Sequence, residues 1–115
     1  MFKKTYEHLK YSGLDVYSIG QHKGLCEKPY IVIKENGLSE ISGTSLTNDI
    51  IELLVYYPVG SYTKLEEYKK LILSTMKSIK GFRRIIDPAP TVIDEHKKAY
   101  TTSYYYRKIK VKEGV

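Results

Sequence analysis

The chain has little that could cross-link it, anchor it in a membrane or give it an obvious reaction to run. Cysteine occurs once, at Cys26, which excludes an internal disulfide and makes a reducing interior the natural setting. Tryptophan is absent and phenylalanine occurs twice, so almost all aromatic character is carried by twelve tyrosines. Long hydrophobic runs are missing as well. The longest, around residues 50–57, is interrupted by Glu52 and is far too short to span a bilayer. Lys3, Lys4 and Lys10 are not followed by an apolar segment, so no signal peptide is read there, and no membrane partner is expected.

Catalytic patterns are equally scarce. His8, His22 and His96 are scattered along the chain. His22 and Cys26 lie four apart in a glycine-containing loop, but no second pair completes a tetrahedral metal site. A lone cysteine beside a strand is read as a small packing residue. No Gly-x-Ser-x-Gly elbow occurs, and Ile41-Ser42-Gly43-Thr44-Ser45 lacks the lysine and the spacing of a phosphate loop. Glu66-Glu67 and Asp94-Glu95 are adjacent carboxylates, and neighbours one apart on a helix do not face each other. The expectation is a protein without catalytic, metal-binding or cofactor-binding residues.

What is present is an ordinary globular balance, 42% hydrophobic and 28% charged, over 115 residues that suit one domain, 1–115. The net charge is +6, with much of the excess late, at Arg83, Arg84, Lys97, Lys98, Arg107, Lys108, Lys110 and Lys112. Such a face is either solvated or turned toward an acidic partner. Tyrosine covers apolar surface while keeping a polar tip, so a tyrosine-rich chain is suited to protein interfaces.

Periodicity supplies the elements. Phe2, Tyr6 and Leu9 share one face of a short helix, with Gly13 at its C′ position and Leu14 beyond. Residues 15–19 and the run from Tyr30, opened by Pro29, predict strands. Residues 36–48, rich in glycine, serine and threonine, form either a flexible arm or a β-hairpin with weak strands. Residues 49–57 predict a central strand, apolar on both faces. Thr63-Lys64-Leu65-Glu66 has the pattern of a capping box opening a helix with the stripe Leu65, Tyr68, Ile72, Met76 and Ile79, stopped at Gly81. Residues 82–86 and 100–111 predict a short and a long strand. In the second, Tyr100, Thr102, Tyr104 and Tyr106 alternate with Thr101, Ser103, Tyr105 and Arg107. The expected fold is α+β: a mixed, mainly antiparallel sheet flanked by an N-terminal helix and a longer central helix.

The strand Pro29-Tyr30-Ile31-Val32-Ile33, the variable arm, the strand at 50–57 and the helix at 65–79 together resemble the tail terminator and tail-completion proteins of tailed bacteriophages. The likeness covers most of the chain, from Phe2 to Val111. It implies a structural protein of the virion neck, made in the cytoplasm of a bacterial host. Such subunits close into a homo-oligomeric ring, commonly a hexamer, that caps the tail tube and joins it to the head connector. The implied partners are the tail tube protein, the sheath protein if the tail contracts, the head–tail connector proteins, and DNA passing through the lumen without sequence-specific contact. No catalytic residue or cofactor is implied. Tyr56, Tyr104, Tyr106, Ser42, Gly43 and Thr44 are the candidate subunit-interface residues, and Arg107, Lys108 and Lys110 the candidate DNA-facing residues. The alternatives are another head–tail adaptor protein, a small basic nucleic-acid-binding module using 104–110, and a small enzyme whose site is too dispersed to see. Aromatics interleaved with cations, as in Tyr104-Tyr105-Tyr106-Arg107-Lys108, suit base stacking and phosphate contact.

Overall fold

The first helix, α1 (Phe2–Tyr11), stops where its glycine says it should. Gly13 sits at φ 86°, and its amide donates to the Lys10 carbonyl at 2.9 Å while the Leu14 amide reaches back to Leu9 at 3.2 Å. That pair of bonds is a Schellman motif, with Leu9 and Leu14 both buried in the same core as its apolar clasp. The computed structural model describes residues 2–20, 24–40, 46–86 and 90–111.

After α1 come β1 (Val16–Ser18), β2 (Tyr30–Glu40), β3 (Leu46–Pro58), α2 (Tyr62–Lys77), β4 (Arg83–Ile86), β5 (Val92–Asp94) and β6 (Ala99–Val111). Among the described residues these strands make one six-stranded sheet in the order β1-β2-β3-β6-β4, with β5 also paired to β6. The β1–β2 pair is parallel and the other pairs are antiparallel. The α+β class expected from the sequence is therefore the fold, with a mostly antiparallel sheet. β3 is the central strand, paired with β6 from Leu46↔Val111 to Pro58↔Ala99 and with β2 on its other side.

Residues 36–48 resolve differently from a flexible arm. β2 continues to Glu40 and β3 begins at Leu46, with Leu38↔Asp49, Ser39↔Asn48 and Glu40↔Thr47 in register after a bulge between Glu35 and Leu38. The described part of the segment is the strand-paired alternative. Its ladder is supported from the far side by β6, whose Lys110 and Val111 backbones pair with Thr47 and Leu46. Cross-strand pairing of this kind overrides weak intrinsic propensity.

The cap of α2 also differs from the expectation. Ser61, extended at φ −134° and ψ 101°, is the N-cap, and its Oγ accepts the Lys64 amide at 3.4 Å. The helix therefore starts two residues before the Thr63 pattern would have it. Glu66 then lies too far along to close a capping box, and it pairs with Lys69 at 3.0 Å instead. The physical reason is local: Gly60 turns the chain at φ 139°, which sets Ser61 in the extended conformation that an N-cap needs. At the other end α2 stops at Lys77, and Ile79 stays in the core from the turn that follows.

Both helices lie on the same face of the sheet. Leu9 from α1 and Ile72 and Met76 from α2 pack with Ile31, Ile33, Ile51, Leu53, Val55, Tyr104 and Tyr106. Strand alternation sends the intervening residues to the opposite face. There a smaller cluster of Cys26, Tyr30 and Ala99 is joined by Tyr17, Val32 and Tyr56. None of the described helices covers this second face, and none is long and apolar enough to cross a membrane.

Candidate functional site

The uncovered face of the sheet is built from register. Across the strands, Val32, Leu54 and Ser103 form one row. The next row is Lys34, Glu52 and Tyr105, and the one after it runs through Ile50, Arg107 and Arg83. Val32, Ile50, Leu54, Tyr56 and Tyr105 are all half-buried: neighbours on the pleat shield their flanks, and the tops stay open. The Tyr105 hydroxyl donates to Glu52 Oε2 at 3.1 Å, which satisfies a carboxylate that is otherwise buried among the strands. Arg107 Nε is buried with no hydrogen-bond partner among the described residues.

At one end of this face the tyrosines stack. Tyr30 and Tyr56 lie 4.8 Å apart, centroid to centroid, with 18° between planes, and Tyr17 meets Tyr30 edge-on at 5.7 Å. Lys97 Nζ stands 5.5 Å above the Tyr56 ring. Burial first, then the Asp94 charge, pushes the Tyr56 phenol above its ordinary value. A shallow depression of about 310 Å³ runs between Ile19, Val32, Lys34, Leu54, Tyr56 and Lys97. Its lining is aliphatic and aromatic with two lysines at the rim, a composition like that of protein contact surfaces.

The residues singled out by sequence are distributed over both faces where the structure describes them. Tyr56 lies on the uncovered face. Tyr104 and Tyr106 do not: at 1% and 5% exposure they belong to the core beneath the helices, so they are not a free interface. The alternation along β6 was legible, but which side the helices would cover was not, because that depends on α1 and α2. Ser42, Gly43 and Thr44 lie outside the described residues. Arg107 falls on the uncovered face, whereas Lys108 points to the helix side, its Nζ 6.0 Å from the centre of the Phe82 ring. Neighbours in a strand face opposite ways, so these two cations do not share a basic patch. Lys110 pairs with Thr47 at the far end of β6.

Cys26 is a packing residue. Its thiol donates to the Lys28 carbonyl at 3.3 Å, and burial, opposed by the Lys97 charge, pushes it up to about 11. A thiol so little ionised is a poor nucleophile. Among the described histidines, His8 Nδ1 bonds the Lys4 carbonyl at 2.8 Å, and the His96 amide donates to Asp94 Oδ1 at 3.0 Å. Among the described residues no three His, Cys, Asp or Glu side chains cluster as a metal site would require. No known family model matches the chain, and no curated protein does either. The geometry of the uncovered face is what carries the functional reading.

Proposed function

We propose that this chain is a structural subunit of the neck of a tailed phage or a phage-tail-like particle. In this reading it closes into a ring, commonly a hexamer in the proteins it resembles, which terminates the tail tube and joins it to the head connector. The observation that carries the reading is the uncovered, half-buried face bearing Val32, Ile50, Leu54, Tyr56 and Tyr105. A sheet with helices on one side only leaves its second face for a partner. The paired hairpin of β2 and β3 offers a second contact element beyond it. Ring closure needs one patch to meet a different patch on the next copy, and a molecule of 50 × 26 × 24 Å has room for both. The net charge of +6 suits a channel that DNA crosses without sequence-specific contact.

The partners under this proposal are further copies of the chain, the tail tube protein, the sheath protein of a contractile tail and the head-side connector. The test is a null mutant in a particle-producing system. The expected phenotype is tails of uncontrolled length, or finished tails that fail to join heads. Normal tails joined to filled heads would overturn the proposal.

A further inference from the structure

The outer edge of β6 carries two unlike features that fit each other. The first is a cleft of about 260 Å³ between the end of α2, β4 and the distal part of β6. Its floor is apolar: Phe82 and Tyr106 are buried and Leu73 is half-buried. Its rim is cationic, with Lys77 and Arg84 exposed in the lining and Lys108 held over the Phe82 ring at 6.0 Å. No carboxylate is among the described lining residues, and none of these three cations has an ion-pair partner among the described residues. A pocket with an apolar floor and a cationic rim selects an occupant that is apolar at its tip and acidic at its shoulder.

The second feature is such a tip. On the helix side of β5, in register with Tyr100, Ile93 is 52% exposed and is followed directly by Asp94 and the exposed Glu95, while Lys97 is turned to the opposite face, over Tyr56. The turn behind them is rigid: Asp94 Oδ1 accepts the amides of both His96 and Lys97, at 3.0 and 3.1 Å. The tip is thus presented in a fixed shape, which lowers the ordering cost of docking it.

The two features cannot meet within one molecule. Arg84 is in register with Tyr106 and Ile93 with Tyr100, so they lie six residues, or roughly 20 Å, apart along β6. We infer that Ile93 of one copy, with Glu95 beside it, docks into the Leu73, Phe82 and Tyr106 cleft of the next, the Glu95 carboxylate meeting Lys77, Arg84 and Lys108. The contact is heterologous, since each copy uses one patch to give and another to receive, and repetition closes a ring or extends a filament. This inference deepens the neck-ring reading and rests on it for the occupant being a second copy.

The test uses the full chain in sedimentation over a concentration series. The wild type should self-associate. Arg84→Glu and Glu95→Arg should each weaken association roughly tenfold or more, and the double reversal should recover most of it. Ile93→Asp and Arg84→Glu each spoil a different patch, so neither should oligomerise alone, while an equimolar mixture should give a dimer that grows no further. All three positions are exposed, and unchanged thermal melting would show that the subunits remain folded. Single variants that associate like the wild type, a double reversal as weak as its parents, or a mixture that behaves like its components would each overturn the pairing. A wild type that stays monomeric throughout would overturn it too. The null-mutant phenotype is read independently, so these patches can fail while the neck-ring reading stands.

Discussion

The Cys26 thiol and the Tyr106 phenol are two of the buried acids that set how the subunit responds to alkali, alongside the phenols of Tyr30, Tyr56, Tyr68 and Tyr104, which burial also raises. Burial raises the thiol from 9.0 to about 11, against the opposing charge of Lys97. Burial also raises the phenol from 10.0 to about 12, against the opposing charge of Arg84. In both cases the folded state holds its proton more tightly than the unfolded chain does. Stability from these groups is therefore fully present below the unfolded values and is lost as pH rises through the folded ones. Urea-unfolding midpoints should be flat up to about pH 9 on their account and should fall between about pH 9 and 12. A midpoint unchanged over that window would show that these side chains are open to water. Sequence favoured the packing role of Cys26, since a lone thiol beside a strand is far more often a packing residue than a nucleophile, even with His22 four positions away. It did not reveal that Tyr106 is buried, because a tyrosine in an alternating strand is equally at home on either face.

At the scale of elements, the hairpin of β2 and β3 is where local and long-range preferences disagree. Glycine, serine and asparagine favour turns over strands, and the segment 36–48 is full of them. The ladder nevertheless continues through Leu38↔Asp49 to Glu40↔Thr47, because β3 is held along its whole length by β6 on the other side. Hydrogen exchange on the isolated subunit should show protection of the cross-strand-bonded amides in 38–40 and 46–49, weaker than that of 51–55 at the core. Exchange at the unprotected rate throughout would restore the flexible-arm expectation. The helices pose the opposite case. Gly13 and Leu14 announced the end of α1 correctly, since a positive φ next to an apolar clasp is a purely local requirement. The Thr63 pattern places the start of α2 two residues late because two hydroxyl residues compete for the cap. Gly60 favoured Ser61.

For the whole molecule, the division of the sheet into a covered and an uncovered face separates the consequences of substitution. Tyr104→Ala removes a fully buried ring under α2 and should cost about 3–5 kcal/mol of subunit stability, as truncating a core aromatic does. Leu54→Asp changes a half-buried residue on the open face. It should leave the thermal melt of the subunit close to the wild type while preventing particle assembly in complementation of a null mutant. Comparable melts for the two variants would mean that the core has been assigned to the wrong face. Full complementation by Leu54→Asp would mean that assembly does not use the open one.

The α+β class, the two helices with their apolar stripes, the central strand and the scarcity of recognisable catalytic patterns were all legible along the chain. Each of these depends on spacing along the chain, on a period of two or of 3.6, or on the residue types present. Tertiary structure alone decided that both helices pack on one face, which moved Tyr104 and Tyr106 from an expected interface into the core. It also brought Lys77 of α2, Phe82 just before β4, Arg84 of β4 and Lys108 of β6 together around a single cleft. Periodicity divides a strand into two faces but carries no sign. The sign comes from which face another element buries, and that is a contact between residues far apart in the chain.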